Sequence, residues 1–536
     1  MNPDVITAAR AAYPTTQHCV TLGAIVHEGA AHAEPLVGIP LAMMNRHGLI
    51  AGATGTGKTK TLQLMAEQLS KAGVPVFLAD VKGDVSGVAA AGETNGRIQL
   101  RTSETGYQWS GAGFPVEFLS LTGKLGAQLR ATVSSFGPLL LAKVLGLNET
   151  QSSVLAMVFK YADDRNLLLL DFADLRAVLQ YLSGEGAGEL EEYGGMSKQT
   201  VGVLLREMVE LEQQGAGAFF GEPEFDLGDL LQTTPDGRGV VSILELKDMQ
   251  DRPALFSTFM MWMLARLYNT LPEAGDLEKP KLVFFLDEAH LLFEGASKAF
   301  KEQVEQVVRL IRSKGVGVWF VTQSPKDVPA DILGQLGNRV QHALRAFTPD
   351  DEKALRAAAR TFPKTKFYDV QETLQTLGIG EALVTVLAPN GAPTPPFAVR
   401  VVPPSSRMGP LTDVELQQHL ASSVQVKEYA QSIDRESARE LLAKQAEAAR
   451  EAAMVPQLPR GVGFTVASEQ SEADRDAGRR HFEAEKERLR EARRPAKEPP
   501  SALAQALNSP IARTIAGTVA RGLMGALLGG TRRRRR

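Results

Sequence analysis

The stretch His47-Gly-Leu-Ile-Ala-Gly-Ala-Thr-Gly-Thr-Gly-Lys-Thr59 constrains the chain more than any other. It reads as a short buried strand running into a glycine-rich turn and then a helix. Gly52, Gly55 and Gly57 let the backbone turn tightly, so that the segment Gly52-Ala53-Thr54-Gly55-Thr56-Gly57 presents its N–H groups inward. Lys58 supplies a mobile cation for outer phosphates, Thr59 a hydroxyl for Mg²⁺, and Lys60 carries the site into the helix. Apolar residues at helical spacing from Lys60 to Leu69 predict a helix whose N-terminal dipole faces the phosphates. The pattern G-x-x-x-x-G-K-[ST] occurs by chance in long chains. Here the strand before it and the helix after it make it a nucleotide site, with ATP and Mg²⁺ as the expected ligands, and not a bland turn.

A second stretch, Lys281-Leu-Val-Phe-Phe-Leu-Asp-Glu-Ala-His290, completes the chemistry. Its apolar run predicts a central strand whose end delivers two carboxylates with different tasks: Asp287 to Mg²⁺ and Glu288 to an attacking water. The strand Gly317–Thr322 ends in Gln323, a residue type that can orient a water or sense a γ-phosphate. A glutamine ending a strand is usually just exposed, but its place after the other two motifs favours function. Gly73–Asp80 is a further buried strand, followed by Val81-Lys-Gly-Asp84. Carboxylates at such an end sit where open α/β sheets bind ligands, although a solvated turn reads equally well.

Alternation of strands and helices throughout predicts a doubly wound, mainly parallel α/β sheet. Residues 1–35 form a short N-terminal β segment and 36–405 the nucleotide domain, with a helical insertion over about 123–236. A closing hairpin, Ala382–Leu387 and Phe397–Val402, precedes Pro403-Pro404. Residues 406–508 are charged and helical or linker-like, with helical runs at Asp434–Ala453 and Glu469–Arg494. With 59 basic and 62 acidic residues the net charge is −3, which leaves no whole-molecule electrostatic footprint for nucleic acid. The single cysteine, Cys19, excludes an internal disulfide framework and fits a reducing, cytoplasmic compartment, and Met1-Asn-Pro-Asp-Val5 does not open a secretory signal.

Taken together, Asn45–Thr59, Asp80-Val-Lys-Gly-Asp84, Leu286-Asp-Glu-Ala-His290, Arg312-Ser-Lys-Gly-Val-Gly317 and Val321-Thr-Gln-Ser-Pro325 resemble the HerA/FtsK branch of P-loop ATPases, most nearly the bacterial HerA-like proteins. The resemblance runs from about residue 36 to 405 and implies a RecA-like core, a homo-hexameric ring and ATP-driven movement of double-stranded DNA, with a nuclease or another protein as partner. The 46 residues before the loop are too few for the N-terminal β-barrel that HerA helicases carry. The resemblance also gives Arg312, eleven residues before Gln323, the role of an arginine reaching a neighbouring subunit's γ-phosphate. Arg309 and Arg339 are the next candidates, and an exposed ion pair at a helix end is the bland alternative. The letters Asp287-Glu-Ala-His290 invite comparison with DEAH-box helicases, but more than 200 residues separate Lys58 from Asp287, so His290 reads as a local packing or hydrogen-bonding residue. A nucleotide-switched scaffold without DNA translocation is the alternative function; Glu288 favours turnover, because a switch has no need of a base. DNA is expected inside the ring, held by scattered Lys and Arg in a salt-sensitive, sequence-independent way.

The tail, residues 509–536, reads as one amphipathic helix followed by Arg532–Arg536. Ser509 suits an N-cap, Pro510 the first turn and Gly529-Gly530 the end, while Ile511, Ile515, Val519, Leu523 and Leu527 form the apolar stripe. A membrane span would need about 20 apolar residues and would carry Arg513 and Arg521 at a cost of roughly 2.5–3.5 kcal/mol each. Docking on a protein surface is therefore expected, with attachment to a membrane surface as the alternative. Deleting residues 509–536 should leave basal ATP hydrolysis intact and weaken assembly or DNA stimulation. A deletion that changes neither and instead releases the protein from membranes in fractionation would overturn that expectation.

Overall fold

The computed structural model describes residues 3–13, 18–249, 252–294, 296, 298–388 and 390–454; the sequence readings on 456–536 lie outside them. The strands are β1 Cys19–His27, β2 Ala30–Pro40, β3 Gly48–Ala51, β4 Val76–Asp80, β5 Val116–Ser120, β6 Ala127–Gln128, β7 Val241–Glu245, β8 Leu282–Leu286, β9 Val316–Thr322, β10 Asn338–His342, β11 Glu381–Thr385 and β12 Phe397–Val401. They form one twelve-stranded sheet in the order β2-β1-β12-β11-β10-β3-β9-β8-β4-β7-β5-β6. From β10 to β6 neighbours run parallel, while β11, β12, β1 and β2 extend the sheet antiparallel. The expected doubly wound, mainly parallel α/β architecture is the one found.

The apolar runs explain which strands take the centre. Strands β3, β4, β7, β8 and β9 are buried along their whole length, as a parallel sheet covered on both faces requires. Their side chains divide by the two-residue period between two cores. Phe77, Phe284, Leu286, Val318 and Phe320 face one layer, built on the helices Val133–Val144, Glu149–Asp164, Phe172–Ser183, Lys198–Leu211, Pro253–Thr270 and Lys298–Ile311. Val76, Leu78, Val283, Phe285, Trp319 and Val321 face the other, which holds α1 Pro3–Ala12 and α2 Lys58–Lys71. Met260, Met261, Trp262 and Met263 are core residues, so the Met-rich face of Pro253–Thr270 is not an open groove. Beyond Pro404, Leu411, Leu420, Tyr429 and Leu442 are also buried. No described helix is long and apolar enough to cross a membrane.

Helix α2 is anchored along its length, which fixes the loop at its start. Ser70 donates to Gly239 O at 2.6 Å, and Gln63 Nε2 donates to the Ser406 hydroxyl and to Arg407 O. Glu67, almost fully buried, accepts from the backbone N–H groups of Ser405 and Ser406 and from the Ser406 hydroxyl. Burial pushes its carboxyl up to about 7 against those donors.

Two predictions follow the packing. A Cβ on Gly48 would lie 2.4 Å from the ring of Trp319, which is fully buried and donates its indole N–H to Met44 O. Gly48→Ala should therefore cost about 1–3 kcal/mol by overpacking, read as a lower midpoint in chemical denaturation. A raised folded-state pKa in an acid stabilises below the unfolded value and ceases to do so as pH passes the folded one. Wild type should thus lose up to about 3 kcal/mol relative to Glu67→Gln between pH 4.5 and 7, measured by denaturation across that window. Parallel stability curves would contradict the buried carboxylate.

Candidate functional site

The turn after β3 is shaped by residues that only glycine can supply. Gly57 has φ 116° at the N-terminus of α2, and a Cβ on Gly52 would lie 2.5 Å from His342 Cβ. The loop is braced from both adjacent strands: Gly52 N–H donates to Thr322 O of β9, and Ala53 N–H to Ala343 O just beyond β10. The Thr56 hydroxyl closes the turn on Ala53 O at 2.7 Å. Thr54 and Gly55 are the exposed tip, and Thr59 and Lys60 sit half-buried in the first turn of α2.

Lys58 folds back over this loop, its Nζ donating to Gly52 O at 2.7 Å and Ala53 O at 3.2 Å. Burial lowers its pKa, and the nearby Glu288 partly opposes that. Burial likewise lowers Lys60, whose Nζ donates to Gln63 Oε1. His342, fully buried, braces the helix start: Nδ1 faces Glu381 O at 2.8 Å and so carries the hydrogen, leaving Nε2 to accept from the Thr61 hydroxyl at 2.9 Å. Burial holds this imidazole neutral, its pKa down at about 4.

Strand β8 ends in the middle of the sheet and carries Asp287 and Glu288 into the same place. Asp287 is 3% exposed, and its Oδ2 has no hydrogen-bond partner. Burial, with Glu288 beside it, raises its carboxyl to about 7. Glu288 turns into the left-handed region (φ 45°, ψ 50°) and forms an ion pair through Oε1 with Lys82 Nζ, while His290 Nδ1 lies 3.3 Å from Oε2. Burial would raise the Glu288 pKa, but the Lys82 hydrogen bond and charge outweigh it and hold the carboxylate ionised. Lys82 is carried by a turn that Asp80 fixes, with Oδ1 accepting from the N–H groups of Lys82 and Gly83 and Oδ2 from that of Val85.

Two cavities flank the loop. One, about 400 Å³, is lined by Ala53, Thr54, His290, Gln323, Arg345 and Asp351. Gln323 is exposed there, one residue past the carboxyl end of β9. The other, about 330 Å³, opens beside Lys60 and Thr61 against Ile98, Ile379, Val402 and Met408. In it Arg101 is fixed by the carbonyls of Ile379, Gly380 and Val401.

The sequence candidates are therefore gathered, with one exception. Arg312 lies at the opposite, amino end of β9, near Arg46 and Asp276, and burial and the Arg46 charge lower its pKa. The seven residues of β9 put about 23 Å between it and the carboxyl end of that strand, so it does not reach its own chain's loop. Arg309 is engaged with Glu305 at 3.7 Å, and Arg339 donates to Leu333 O. Sequence reasoning missed Lys82 and His342. Lys82 stood inside the Asp80–Asp84 motif, where a lysine between two carboxylates was a usable signal; a histidine in strand β10 offers none. His290, expected as a local packing or hydrogen-bonding residue, lies with its Nδ1 3.3 Å from Glu288 Oε2.

Comparison with known proteins places this geometry. The model of the helicase HerA-like C-terminal family matches residues 26–536. The DNA double-strand break repair helicase HerA of Saccharolobus solfataricus is 21% identical over 344 residues, 63% of this chain and 61% of that protein. Its namesake from Sulfurisphaera tokodaii is 28% identical over 163 residues, 30% of this chain and 32% of that protein. The chain thus spans 32% to 61% of the length of these relatives. Among solved structures, the bacterial conjugative coupling protein TrwBdeltaN70 is similar with a TM-score of 0.48 at 16% identity, covering 75% of this chain and 93% of that one. The match of the family model to nearly the whole sequence, on a sheet that carries a glycine-rich phosphate loop, means that the chain belongs to the helicase HerA-like C-terminal family of P-loop ATPases.

Proposed function

We propose that the chain hydrolyses ATP as a ring-forming motor acting on double-stranded DNA. The observation that carries this reading is the convergence of Lys58, Gln323, Asp287 and Glu288 at the carboxyl ends of three neighbouring strands, β3, β9 and β8. The amides of Thr54, Gly55 and Gly57 and the Lys58 ammonium take the β- and γ-phosphates, while those of Gly52 and Ala53 stay on the adjacent strands, and Lys58 exchanges its two loop carbonyls for phosphate oxygens. The apolar cavity beside Lys60 and Thr61 takes the nucleoside.

Thr59 and Asp287 would hold Mg²⁺, and the residues fit such an ion: Asp287 keeps a buried carboxylate oxygen with no hydrogen bond. When bound, the ion supplies charge neutralisation on the transferring phosphoryl group. Glu288 accepts the proton of the attacking water, and Lys82 keeps that carboxylate ionised and ready to do so. Gln323, at the mouth of the larger cavity, orients the water.

The proposed assembly draws on Arg312. Its place at the far end of β9, out of reach of its own loop, supports a reading in which it serves a neighbouring subunit's γ-phosphate in a homo-hexamer. The relatives described as DNA double-strand break repair helicases support duplex DNA as the substrate. With a net charge of −3, DNA contacts belong to the ring interior.

Lys58→Ala should remove most turnover. Glu288→Gln should still bind ATP in an equilibrium binding assay and release phosphate at least about 10²-fold more slowly; hydrolysis at the wild-type rate would remove Glu288 from the role. Mixing Arg312→Ala with Glu288→Gln subunits should partly restore turnover, since some interfaces then combine an intact base with an intact arginine. No restoration at any ratio would contradict action in trans.

A further inference from the structure

The cavity proposed for the nucleoside is bounded by the helix Gly96–Thr105, the turn 378–381 and the segment 401–404. Arg101 lines it from that helix and is held along its edge. Nη1 donates to Gly380 O at 2.9 Å and to Val401 O at 3.3 Å, and Nη2 donates to Ile379 O at 3.1 Å. Guanidinium N–H bonds lie in the plane of the group, so these acceptors fix that plane and make no use of its faces. A planar cation fixed in this way, in the wall of a cavity of about 330 Å³, is a platform on which a flat aromatic ring stacks.

The surroundings suit such a ring. Gly380, at φ 72°, lies against the guanidinium, and a Cβ there would stand 3.2 Å from Nη2 and 3.5 Å from Cζ, so the missing side chain keeps Arg101 uncovered. Ile379 and Met408 line the same cavity and are 74% and 37% exposed, apolar surface that a nucleobase removes from water. Adenine and guanine share a flat face and differ in the donors and acceptors of their edges, which carboxamide and carboxylate side chains or a free arginine read. Among the described residues that line the cavity, none carries a carboxylate or a carboxamide. The carbonyls of Ile379, Gly380 and Val401 are taken by Arg101, and that of Pro404 by the Trp109 indole at 2.7 Å. Lys60 is on Gln63, the Thr61 hydroxyl is on His342, and Arg97, one turn before Arg101, lines the cavity as an exposed donor.

We propose that the nucleobase stacks on the Arg101 guanidinium and is recognised by its face and not by its edge, so that the site takes ATP and GTP alike. This rests on the reading of the phosphate loop and this cavity as one nucleotide site, and it names the residue that sets the base selectivity of that site. The phosphate loop then selects a triphosphate, and Arg101 selects a purine ring without distinguishing which purine it is.

Equilibrium binding of ATP, GTP and inorganic tripolyphosphate to the full chain, each with Mg²⁺, tests this. Wild type should bind GTP within about fivefold of ATP, since no edge contact discriminates them. Arg101→Ala should weaken ATP and GTP by at least about fivefold each, the loss expected when a base loses its stacking partner. The same variant should bind tripolyphosphate as wild type does, because that ligand has no ring; this also shows that the variant is folded. Arg101→Lys can still donate to the three carbonyls but offers no plane, and should bind ATP as weakly as Arg101→Ala. Arg97→Ala should leave the ratio of ATP to GTP affinity unchanged. Strong preference for one purine in wild type, equal loss of ATP and tripolyphosphate in Arg101→Ala, or full recovery in Arg101→Lys would overturn the proposal, the last two because they describe a residue that only holds the turn 378–381 against the loop. If Lys58→Ala weakens ATP and Arg101→Ala does not, the stacking proposal falls and the phosphate site stands. If Arg101→Ala weakens ATP and Lys58→Ala does not, the stack stands and the reading of the phosphate loop falls.

Discussion

The structure turns on a pair of carboxylates that a wholly apolar strand carries into the middle of the sheet. Leu282–Leu286 are all fully buried, and Asp287 and Glu288 follow with no intervening residue. Two adjacent acids in that setting cannot both behave as surface groups do. Their environments separate them: Glu288 meets the Lys82 ammonium and stays ionised, whereas Asp287 keeps an unpartnered oxygen and a carboxyl raised to about 7. One carboxylate is thereby held ionised and the other keeps a free oxygen, the states that the proposed base and the proposed metal ligand need. The backbone turns into the left-handed region at Glu288, immediately after Asp287.

The phosphate loop is positioned against that pair from three sides. Gly52 and Ala53 hang from the ends of β9 and β10, His342 steadies Thr61, and α2 is clamped farther along by Ser70, Gln63 and Glu67. Glu67 ties α2 to Ser405 and Ser406, so the segment that leaves the sheet after β12 is part of what holds the loop. That segment also walls the smaller cavity through Pro403, Pro404 and Met408. A change in the region after Pro404 is thus coupled by direct contacts to Gln63 and Glu67, farther along the phosphate-binding helix.

Much of this was legible in the sequence because burial writes itself as uninterrupted apolar runs. Strand β8 was read at Leu282–Leu286, the limits the structure gives it, since five apolar residues end abruptly in two acids. The glycine loop was legible for a different reason: its turns demand positive φ at Gly55 and Gly57. What remained hidden depends on long-range pairing. Nothing local reveals that Lys82 meets Glu288 206 positions away, or that β3 lies between β9 and β10. His342 was invisible because a histidine in a strand carries no periodic signal, and its role exists only once β10 lies beside β3. Arg312 was named by family resemblance alone, and its place at the amino end of β9 could not be read from spacing.

The central claim is that this chemistry is driven by contact with duplex DNA, and steady-state phosphate release with and without double-stranded DNA at low salt tests it most directly. The account predicts a several-fold rise in ATP turnover with duplex DNA, abolished in Lys58→Ala and diminished as salt is raised. Turnover that is robust yet indifferent to duplex DNA at every salt concentration would contradict it.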